Sequence, residues 1–231
     1  MSEKNSRRTF IKNTSLGVAF STIQASFGFS PLQQNNDQIG HGDFRFSLDK
    51  NWGVQNPNLY PVDHCHEMVI DSKNRIILTT TDPKNNILIY DRSGKILDSW
   101  GINYNGAHGL TIFDEGGEEF LFITDPDSHK ICKTTLKGKK ILELSFPKEI
   151  SSYTDSNLFK PTETAVSPNG DIYVADGYGL DYIIQYDYKG NYIRHFGGHG
   201  NENNKFDCCH GITVDNRDLS NPSLLITSRS K

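Results

Sequence analysis

Hydrophobic and polar residues alternate along most of the chain in short runs that end in polar turns. β-branched and aromatic residues dominate these runs, as in 76–82, 120–125 and 172–176. Runs of this kind predict β-strands, whereas an amphipathic helix would repeat its apolar positions about every 3.6 residues. Gly94, Gly138 and Gly190 lie in the turns between runs, where glycine adopts a positive φ without strain. The pattern therefore predicts an all-β fold.

One sequence pattern occurs four times, and three of the copies have a histidine at the same position. The copies are Cys65-His66-Glu67-Met68-Val69-Ile70-Asp71, Ala107-His108-Gly109-Leu110-Thr111-Ile112, Pro161-Thr162-Glu163-Thr164-Ala165-Val166 and Cys209-His210-Gly211-Ile212-Thr213-Val214-Asp215. The matched positions 66, 108, 162 and 210 are 42, 54 and 48 residues apart. A period of about 40 to 50 residues is typical of propeller blades. Because a propeller repeats around one axis, we expect these positions to converge.

Each complete repeat contains four predicted strands. In chain order they are 68–71, 76–82, 86–90 and 96–100; 110–113, 120–125, 129–134 and 141–146; 164–167, 172–176, 182–186 and 192–196; and 212–215 with 224–228. No crossover helices are predicted, which argues against barrel and doubly wound α/β folds. We therefore predict a β-propeller over 63–231 with three and a half blades, from a parent of about six blades. An open ring exposes strand edges, so a truncated sequence or fragment is favoured over an oligomer that completes the ring.

The N-terminal region has the features of an export signal. Ser6-Arg7-Arg8-Thr9-Phe10-Ile11-Lys12 resembles a twin-arginine motif, and a moderately apolar stretch follows from Thr14 to Phe29. This stretch is too short and polar for a membrane span. We predict a signal over 1–32, periplasmic or extracytoplasmic localisation, no stable membrane span after signal removal, and a linker with a lead-in strand over 33–62. A disordered basic tail is the alternative.

Charge and cysteine content narrow the function classes. The net charge of -4 provides no electrostatic basis for nucleic-acid binding, so no nucleic-acid partner is expected. Four cysteines are too few for a scaffold built on disulfides, and inert thiols are favoured over one or two bridges. The histidine and cysteine clusters at 64–66 and 208–210 lack the Cys-x-x-Cys spacing of a thiolate metal site.

The repeats resemble NHL repeats, and their arrangement is similar to the propeller of the peptidyl-α-hydroxyglycine α-amidating lyases. That family cleaves a carbinolamide to a peptide amide and glyoxylate. The resemblance implies a zinc ion bound by histidines, with His108 and His210 as ligands. It further implies a catalytic tyrosine at Tyr178 in Asp176-Gly177-Tyr178, and an active-site arginine at Arg229. A structural calcium ion would be bound by the main-chain carbonyl of Leu110.

The chain departs from the family pattern at several positions. The family's third zinc histidine and its calcium aspartate lie in a last blade that this chain does not contain. Thr81 stands near the position of another family arginine, Gly179 replaces a disulfide cysteine, and Ser228 replaces the aspartate before Arg229. His66 is a candidate substitute third zinc ligand, although its blade adjoins that of His108, which predicts a lopsided site.

The candidate residues suit zinc chemistry, and each also has a structural alternative. Three neutral imidazoles with an open fourth position are typical of catalytic zinc. Tyr178 would take the hydroxyl proton of a substrate, and Arg229 would anchor a carboxylate or stabilise negative charge. The histidines alternatively cap strands or line a channel, and Tyr178 is alternatively a loop aromatic residue. Glu67, Glu163 and Asp82 are expected at a solvated rim.

Two function classes follow from these observations. The first is a zinc-dependent lyase that acts on a small-molecule or peptide substrate in the axial cleft. The second is a non-catalytic NHL propeller that binds a peptide, glycan or protein partner on its top face. Bound zinc and a requirement for Tyr178 would distinguish the first class from the second.

Overall fold

The computed structural model describes residues 38–53, 56–101 and 103–230, and the chain divides into two units, Met1–Asp49 and Lys50–Lys231. The predicted export signal at 1–32 lies outside the described residues. Within the described part of the chain, no helix is both long and apolar enough to cross a membrane.

The first unit contains a β-hairpin of two strands, β1 (Gln38–His41) and β2 (Phe44–Ser47). Gly42 has a φ of +60° in the connecting turn. Our prediction placed a linker with one lead-in strand in 33–62, and the structure has two paired strands here instead. The turn glycine explains the difference, because its left-handed backbone lets the chain reverse within a few residues.

The second unit contains three four-stranded antiparallel sheets and one two-stranded sheet. The first blade consists of β3 (Met68–Ile70), β4 (Ile76–Thr79), β5 (Ile87–Tyr90) and β6 (Ile96–Trp100). The second consists of β7 (Leu110–Asp114), β8 (Glu119–Asp125), β9 (Lys130–Thr135) and β10 (Lys140–Leu144). The third consists of β11 (Glu163–Val166), β12 (Ile172–Ala175), β13 (Tyr182–Tyr186) and β14 (Tyr192–Gly197). The fourth sheet pairs β15 (Cys209–Asp215) with β16 (Ser223–Ser228). The predicted all-β fold with four strands per complete repeat is confirmed.

Neighbouring blades contact each other through their first strands. β3 lies beside β7, β7 beside β11, and β11 beside β15. β3, β7 and β11 begin one or two residues after the matched position of their repeat, and β15 begins one residue before it, so residues 66, 108, 162 and 210 lie at the same end of adjacent strands. This propeller-like order brings residues from different repeats together.

The hydrophobic core consists of three clusters, each between two successive blades. Ile77, Ile89, Leu121 and Ile123 represent the cluster between the first and second blades. The second and third blades bury Phe122, Phe159, Val174 and Ile184, among others. Ala165, Ala175, Ile183, Cys209 and Ile212 form the third cluster. Truncating one of the fully buried leucines or isoleucines to alanine costs about 2 to 5 kcal/mol, so these clusters hold adjacent sheets in a defined position.

Hairpin turns at the outer ends of the blades follow one local design. The Asp91 side chain accepts hydrogen bonds from the main-chain N–H groups of Ser93 and Lys95, and Gly94 has a φ of +88°. Asp187 caps the equivalent turn of the third blade, where Gly190 also has a φ of +88°. An aspartate that satisfies turn N–H groups and a glycine in the left-handed region are local sequence signals, which explains why these turns were predictable.

Candidate functional site

Three histidines from three different blades line one cavity of about 320 Å³. His66 precedes β3, His108 precedes β7, and His210 is the second residue of β15. The ring centroids of His66 and His108 are 4.4 Å apart in a stacked arrangement, and those of His108 and His210 are 4.9 Å apart. The structure therefore brings together the three residues that the sequence offers as zinc ligands, with His66 directly against His108.

His108 is the most buried of the three, with 8% of its surface exposed. Its Nδ1 atom lies 2.9 Å from the main-chain oxygen of Thr162. Because a carbonyl only accepts hydrogen bonds, Nδ1 carries the proton and Nε2 keeps its lone pair. Burial lowers the pKa of His108 to about 4, even though the bond to Thr162 acts in the opposite direction. His108 is therefore neutral, with Nε2 available as an acceptor or a metal ligand.

Thr162 occupies the matched position in the one repeat that lacks a histidine. Its main-chain oxygen orients His108, and its hydroxyl donates to the main-chain oxygen of Cys209 at 3.1 Å. The third repeat thus offers no histidine of its own. Its Thr162 instead binds His108 and the backbone next to His210 through hydrogen bonds. Such hydrogen bonds to the second nitrogen of a histidine are typical around bound metals.

Tyr178 lies on the loop after β12, and its hydroxyl contacts three candidate residues. The Tyr178 oxygen is 2.8 Å from Nε2 of His210, 3.2 Å from Nε2 of His108 and 3.3 Å from a guanidinium nitrogen of Arg229. Since Nε2 of His108 is an acceptor, the tyrosine O–H donates to His108 and its oxygen accepts from Arg229 and His210. Two donors that point at one phenol oxygen favour negative charge on it.

Arg229 lies close to the Tyr178 ring as well as to its hydroxyl. The guanidinium carbon is 5.3 Å from the ring centroid, and the main-chain N–H of Arg229 donates to the oxygen of Cys208 at 2.9 Å. The Arg229 guanidinium therefore lies beside Tyr178, where it could stabilise negative charge as predicted.

The turn that carries Tyr178 is built on the buried carboxylate of Asp176. This side chain accepts hydrogen bonds from the N–H groups of Lys160 and Leu180 and from the hydroxyl of Tyr153. Burial raises the pKa of Asp176 to about 6, against the effect of these hydrogen bonds. At neutral pH the carboxylate is ionised and holds the loop around Tyr178 in place.

Glycines on both sides of Tyr178 allow the backbone to pass through this crowded turn. A Cβ atom at Gly177 would collide with the main-chain oxygen of Cys209, and one at Gly179 would collide with the Asp176 carboxylate. Gly179, which replaces the cysteine of the family pattern, is therefore packed so closely that no side chain would fit at this position.

The loop that carries His210 is held by a buried aspartate of the third blade. Asp181 accepts a hydrogen bond from the N–H of Cys209 at 2.8 Å, and its other oxygen lies 2.9 Å from Nδ1 of His199. Within the described residues, Asp181, His199 and Asp207 are the group of possible metal ligands whose ligand atoms all lie within 4.8 Å of one another. The three site histidines do not form such a group in the described part of the chain. The Tyr178 hydroxyl instead lies between Nε2 of His108 and Nε2 of His210.

Glu163 and Glu67 differ from our expectation that they lie at a solvated rim. Glu163 is only 9% exposed, and Glu67 is half-buried beside it in the cavity of the histidines. Burial is the main reason that the pKa of Glu163 is raised well above its ordinary value, and the hydrogen bond to Glu67 adds to it. The rim prediction is wrong for Glu163 because β7 and β11 pack closely around its side chain. Asp82 is half-buried and caps a turn by accepting from Lys84.

Leu110, the predicted calcium ligand, is buried at the start of β7. Its N–H donates to a carboxylate oxygen of Glu67 at 3.0 Å. The carbonyl that was predicted to bind calcium therefore belongs to a residue whose N–H contacts Glu67 directly.

A second cavity of about 380 Å³ lies on the other side of His66 and His108. Its lining residues are His64, His66, Thr81, Gly106, His108, Pro126, Asp127, Lys160 and Tyr178. Sequence reasoning did not single out Lys160. One feature of the sequence could have pointed to this lysine: it lies directly before Pro161 and two residues before position 162, which matches the site histidines of the other repeats.

Two further departures from the family pattern have local structural roles. Thr81 donates to the main-chain oxygen of Asp63 at 3.2 Å. Ser228 accepts from the N–H of Asp207 and donates to the oxygen of the same residue. The four cysteines are free thiols, with Cys132 and Cys209 buried, Cys208 partly exposed and Cys65 exposed.

Comparisons with known proteins agree with this architecture. No family model matches the chain. It is 36% identical over 118 residues to the probable peptidyl-alpha-hydroxyglycine alpha-amidating lyase pgal-1 of Caenorhabditis elegans, covering 51% of this chain and 33% of that protein. It is 25% identical over 207 residues to mouse NHL repeat-containing protein 3, covering 84% of this chain and 56% of that protein.

A solved structure shows the same kind of fold. Virginiamycin B lyase from Staphylococcus aureus superposes with a TM-score of 0.53 at 16% identity, over 76% of this chain and 51% of that one. The chain thus spans between a third and about half of the length of these proteins. It is homologous to the peptidyl-alpha-hydroxyglycine amidating lyases and to NHL-repeat proteins, and its fold is propeller-like.

Proposed function

We propose that this chain forms the catalytic region of a lyase that cleaves the carbon–nitrogen bond of an N-acyl-α-hydroxyglycine. The observation that carries the proposal is the Tyr178 hydroxyl, which lies within hydrogen-bond distance of His108, His210 and Arg229 at once. A phenol oxygen that accepts two hydrogen bonds beside neutral imidazoles is suited to accept a proton from a substrate hydroxyl. Homology to amidating lyases supports the same reaction class.

The reaction needs no oxidant or reductant. The Tyr178 oxygen, which accepts from Arg229, takes the proton of the α-hydroxyl group as its own O–H proton passes to the departing nitrogen. The electron pair of the substrate O–H bond forms the carbonyl of glyoxylate as the carbon–nitrogen bond breaks. The electron pair of the carbon–nitrogen bond stays on the nitrogen, which becomes the amide. Removing one such proton-transfer group typically costs about 10² to 10⁴ in rate.

The histidines fit a zinc ion by their donor chemistry. Zinc binds the neutral imidazole, and burial lowers the pKa of His66, His108 and His210. These three residues would hold the ion. When bound, zinc supplies a Lewis acid that polarises the substrate oxygen. The bond from Nδ1 of His108 to Thr162 supports the assignment, because it leaves Nε2 unprotonated.

A structural calcium ion would fit near Leu110. Calcium prefers carboxylate and carbonyl oxygens. Glu67 contacts Leu110, and Glu163 lines one cavity with both residues. A cation would relieve the repulsion between the two glutamates. We propose this pair of carboxylates as calcium ligands.

Export by the twin-arginine route is proposed from residues 1–32 alone. The motif around Arg7 and Arg8 supports periplasmic or extracytoplasmic localisation. Replacing both arginines by lysine should retain the protein in the cytoplasm, which cell fractionation measures. Unchanged localisation of the double variant would contradict the proposal.

A non-catalytic propeller that binds a peptide, glycan or protein partner is the second candidate. The observation in its favour is the longer match to NHL repeat-containing protein 3, which covers 84% of this chain. Incubation of the zinc-loaded protein with N-benzoyl-α-hydroxyglycine separates the two candidates. The lyase should release benzamide and glyoxylate in equal amounts. Protein that binds zinc yet releases neither product would exclude the lyase function of this chain.

A further inference from the structure

The cavity next to Tyr178 contains one lysine and one aspartate among its lining residues. Lys160 and Asp127 share this cavity of about 380 Å³ with Tyr178, His66 and His108. We propose that Lys160 binds the carboxylate of the substrate and so selects substrates that end in a free α-carboxylate. This inference rests on the proposed function for the identity of the substrate, and it extends it by assigning a specificity residue.

The backbone of Lys160 is tied to the turn that carries Tyr178. The Lys160 N–H donates to Asp176 at 2.6 Å, and the Lys160 oxygen accepts from the N–H of Tyr178 at 3.3 Å. Phe159 before it is fully buried, and Pro161 after it has a fixed φ. The lysine side chain therefore starts from a rigid base, at a constant position relative to the tyrosine hydroxyl.

The positive charge of Lys160 has no carboxylate partner within the described residues. The ion pairs found there involve other cations, and none joins Lys160 to Asp127 or to another acid. Arg229, the other cation of the site, is directed at the Tyr178 hydroxyl and ring. This division leaves Lys160 as the cation available to a substrate anion.

Asp127 adds a restriction on the substrate. Its side chain packs against Gly106, where a Cβ atom would come within 2.7 Å of the Asp127 side chain. A carboxylate held on this wall repels a second negative charge in the same cavity. The geometry therefore favours a substrate with one carboxylate at its end and an uncharged or basic adjoining part.

Binding of an unreactive substrate analogue tests the assignment without requiring turnover. We would measure the Kd of N-benzoylglycine and of its methyl ester for the wild-type chain and for Lys160→Met, Lys160→Arg and Lys137→Met. Lys137 is an exposed turn lysine that lines none of the site cavities, so its variant is the matched control. The acid should bind about 10- to 100-fold more weakly to Lys160→Met, the typical value of one hydrogen bond to a charged group.

The remaining Kd values test whether the positive charge at position 160 is what binds the carboxylate. Lys160→Arg should keep the affinity within about threefold, Lys137→Met should match the wild type, and the ester should bind all four proteins equally weakly. Equal binding of acid and ester to the wild type, or an unchanged Kd for the acid in Lys160→Met, would overturn the assignment. A wild-type chain that discriminates the acid but releases no glyoxylate would leave Lys160 as an anion-binding residue and reject the lyase function.

Discussion

The hydroxyl oxygen of Tyr178 lies 2.8 Å from Nε2 of His210, although the two residues are 32 positions apart and belong to different blades. The same oxygen lies 3.2 Å from Nε2 of His108, in a third blade. The hydroxyl of this third-blade tyrosine thus contacts histidines of the second and fourth blades, close to where the first strands of those blades begin. Three blades must therefore keep their relative positions for the site to exist, and the buried clusters between the sheets supply that constraint.

Tyr178→Phe should greatly lower lyase activity while leaving the fold and the zinc content unchanged. The substitution removes only the hydroxyl that takes the substrate proton, so kcat should fall by about 10² to 10⁴. Product release and zinc content measured on the same preparation would show this. The control is Tyr188→Phe, which changes an exposed tyrosine of the third blade. Activity within about threefold of the wild type would exclude Tyr178 as the proton acceptor.

His66→Ala should lower zinc affinity at least tenfold if His66 is the third ligand. Its ring is stacked on that of His108, so its loss opens the cavity on the side of the first blade. His64→Ala is the matched control, because His64 is exposed two residues away and contacts Thr81. Zinc titration against a competing chelator measures the difference. Equal affinity of the two variants would show that His66 is not a ligand.

In the zinc-free protein, His108 should remain neutral down to about pH 4, whereas His199 should be charged at pH 5.5. Burial lowers the pKa of His108 to about 4, and the hydrogen bond to Asp181 raises that of His199 above its ordinary value. Ring nitrogen shifts in a pH titration by NMR report both residues. A midpoint for His108 above pH 6 would contradict the burial argument.

The same shift has a consequence for stability. Between about pH 6.5 and pH 4 the unfolded chain protonates residue 108 and the folded chain does not. The contribution of His108 to the free energy of unfolding is therefore fully present above pH 6.5 and is lost as the pH falls. Zinc should oppose this loss, since it binds the neutral form.

Glu163→Gln should stabilise the calcium-free protein at pH 8 and have little effect at pH 4. The raised pKa of Glu163 means that the folded chain binds its proton more tightly than the unfolded chain does. The contribution to stability is thus present at low pH and lost as the pH rises, and glutamine removes this dependence. Urea unfolding in the presence of a chelator, at both pH values, measures the effect. Destabilisation at pH 8 would contradict it.

Calcium addition extends this measurement to the proposed calcium site. It should raise the unfolding midpoint of the wild type and leave that of Glu163→Gln unchanged, because the variant lacks one of the two carboxylates. Glu149→Gln, at an exposed position outside both site cavities, is the control. An equal response of all three proteins would reject Glu67 and Glu163 as calcium ligands.

Most of the fold could be read from the sequence because its determinants are local. Alternating apolar residues place the strands, and aspartate and glycine specify turns such as those at Asp91 and Asp187. Most strand ends lie within two residues of the prediction. β4 ends three residues earlier than predicted, at Thr79, and β15 begins three residues earlier, at Cys209. The hairpin at 38–47 was predicted only as part of a linker with a lead-in strand, because each of its strands is four residues long and fully exposed.

The repeat and the histidines at its matched positions could be read from the sequence, and Tyr178 was expected from the family resemblance. Three relationships emerge only when the blades pack together: Thr162 orients His108, Glu163 is buried beside Glu67, and Lys160 shares a cavity with Tyr178. They could not be predicted because burial, pKa and hydrogen-bond partners depend on the distance between adjacent sheets. That distance is set by packing between blades, which no local pattern encodes.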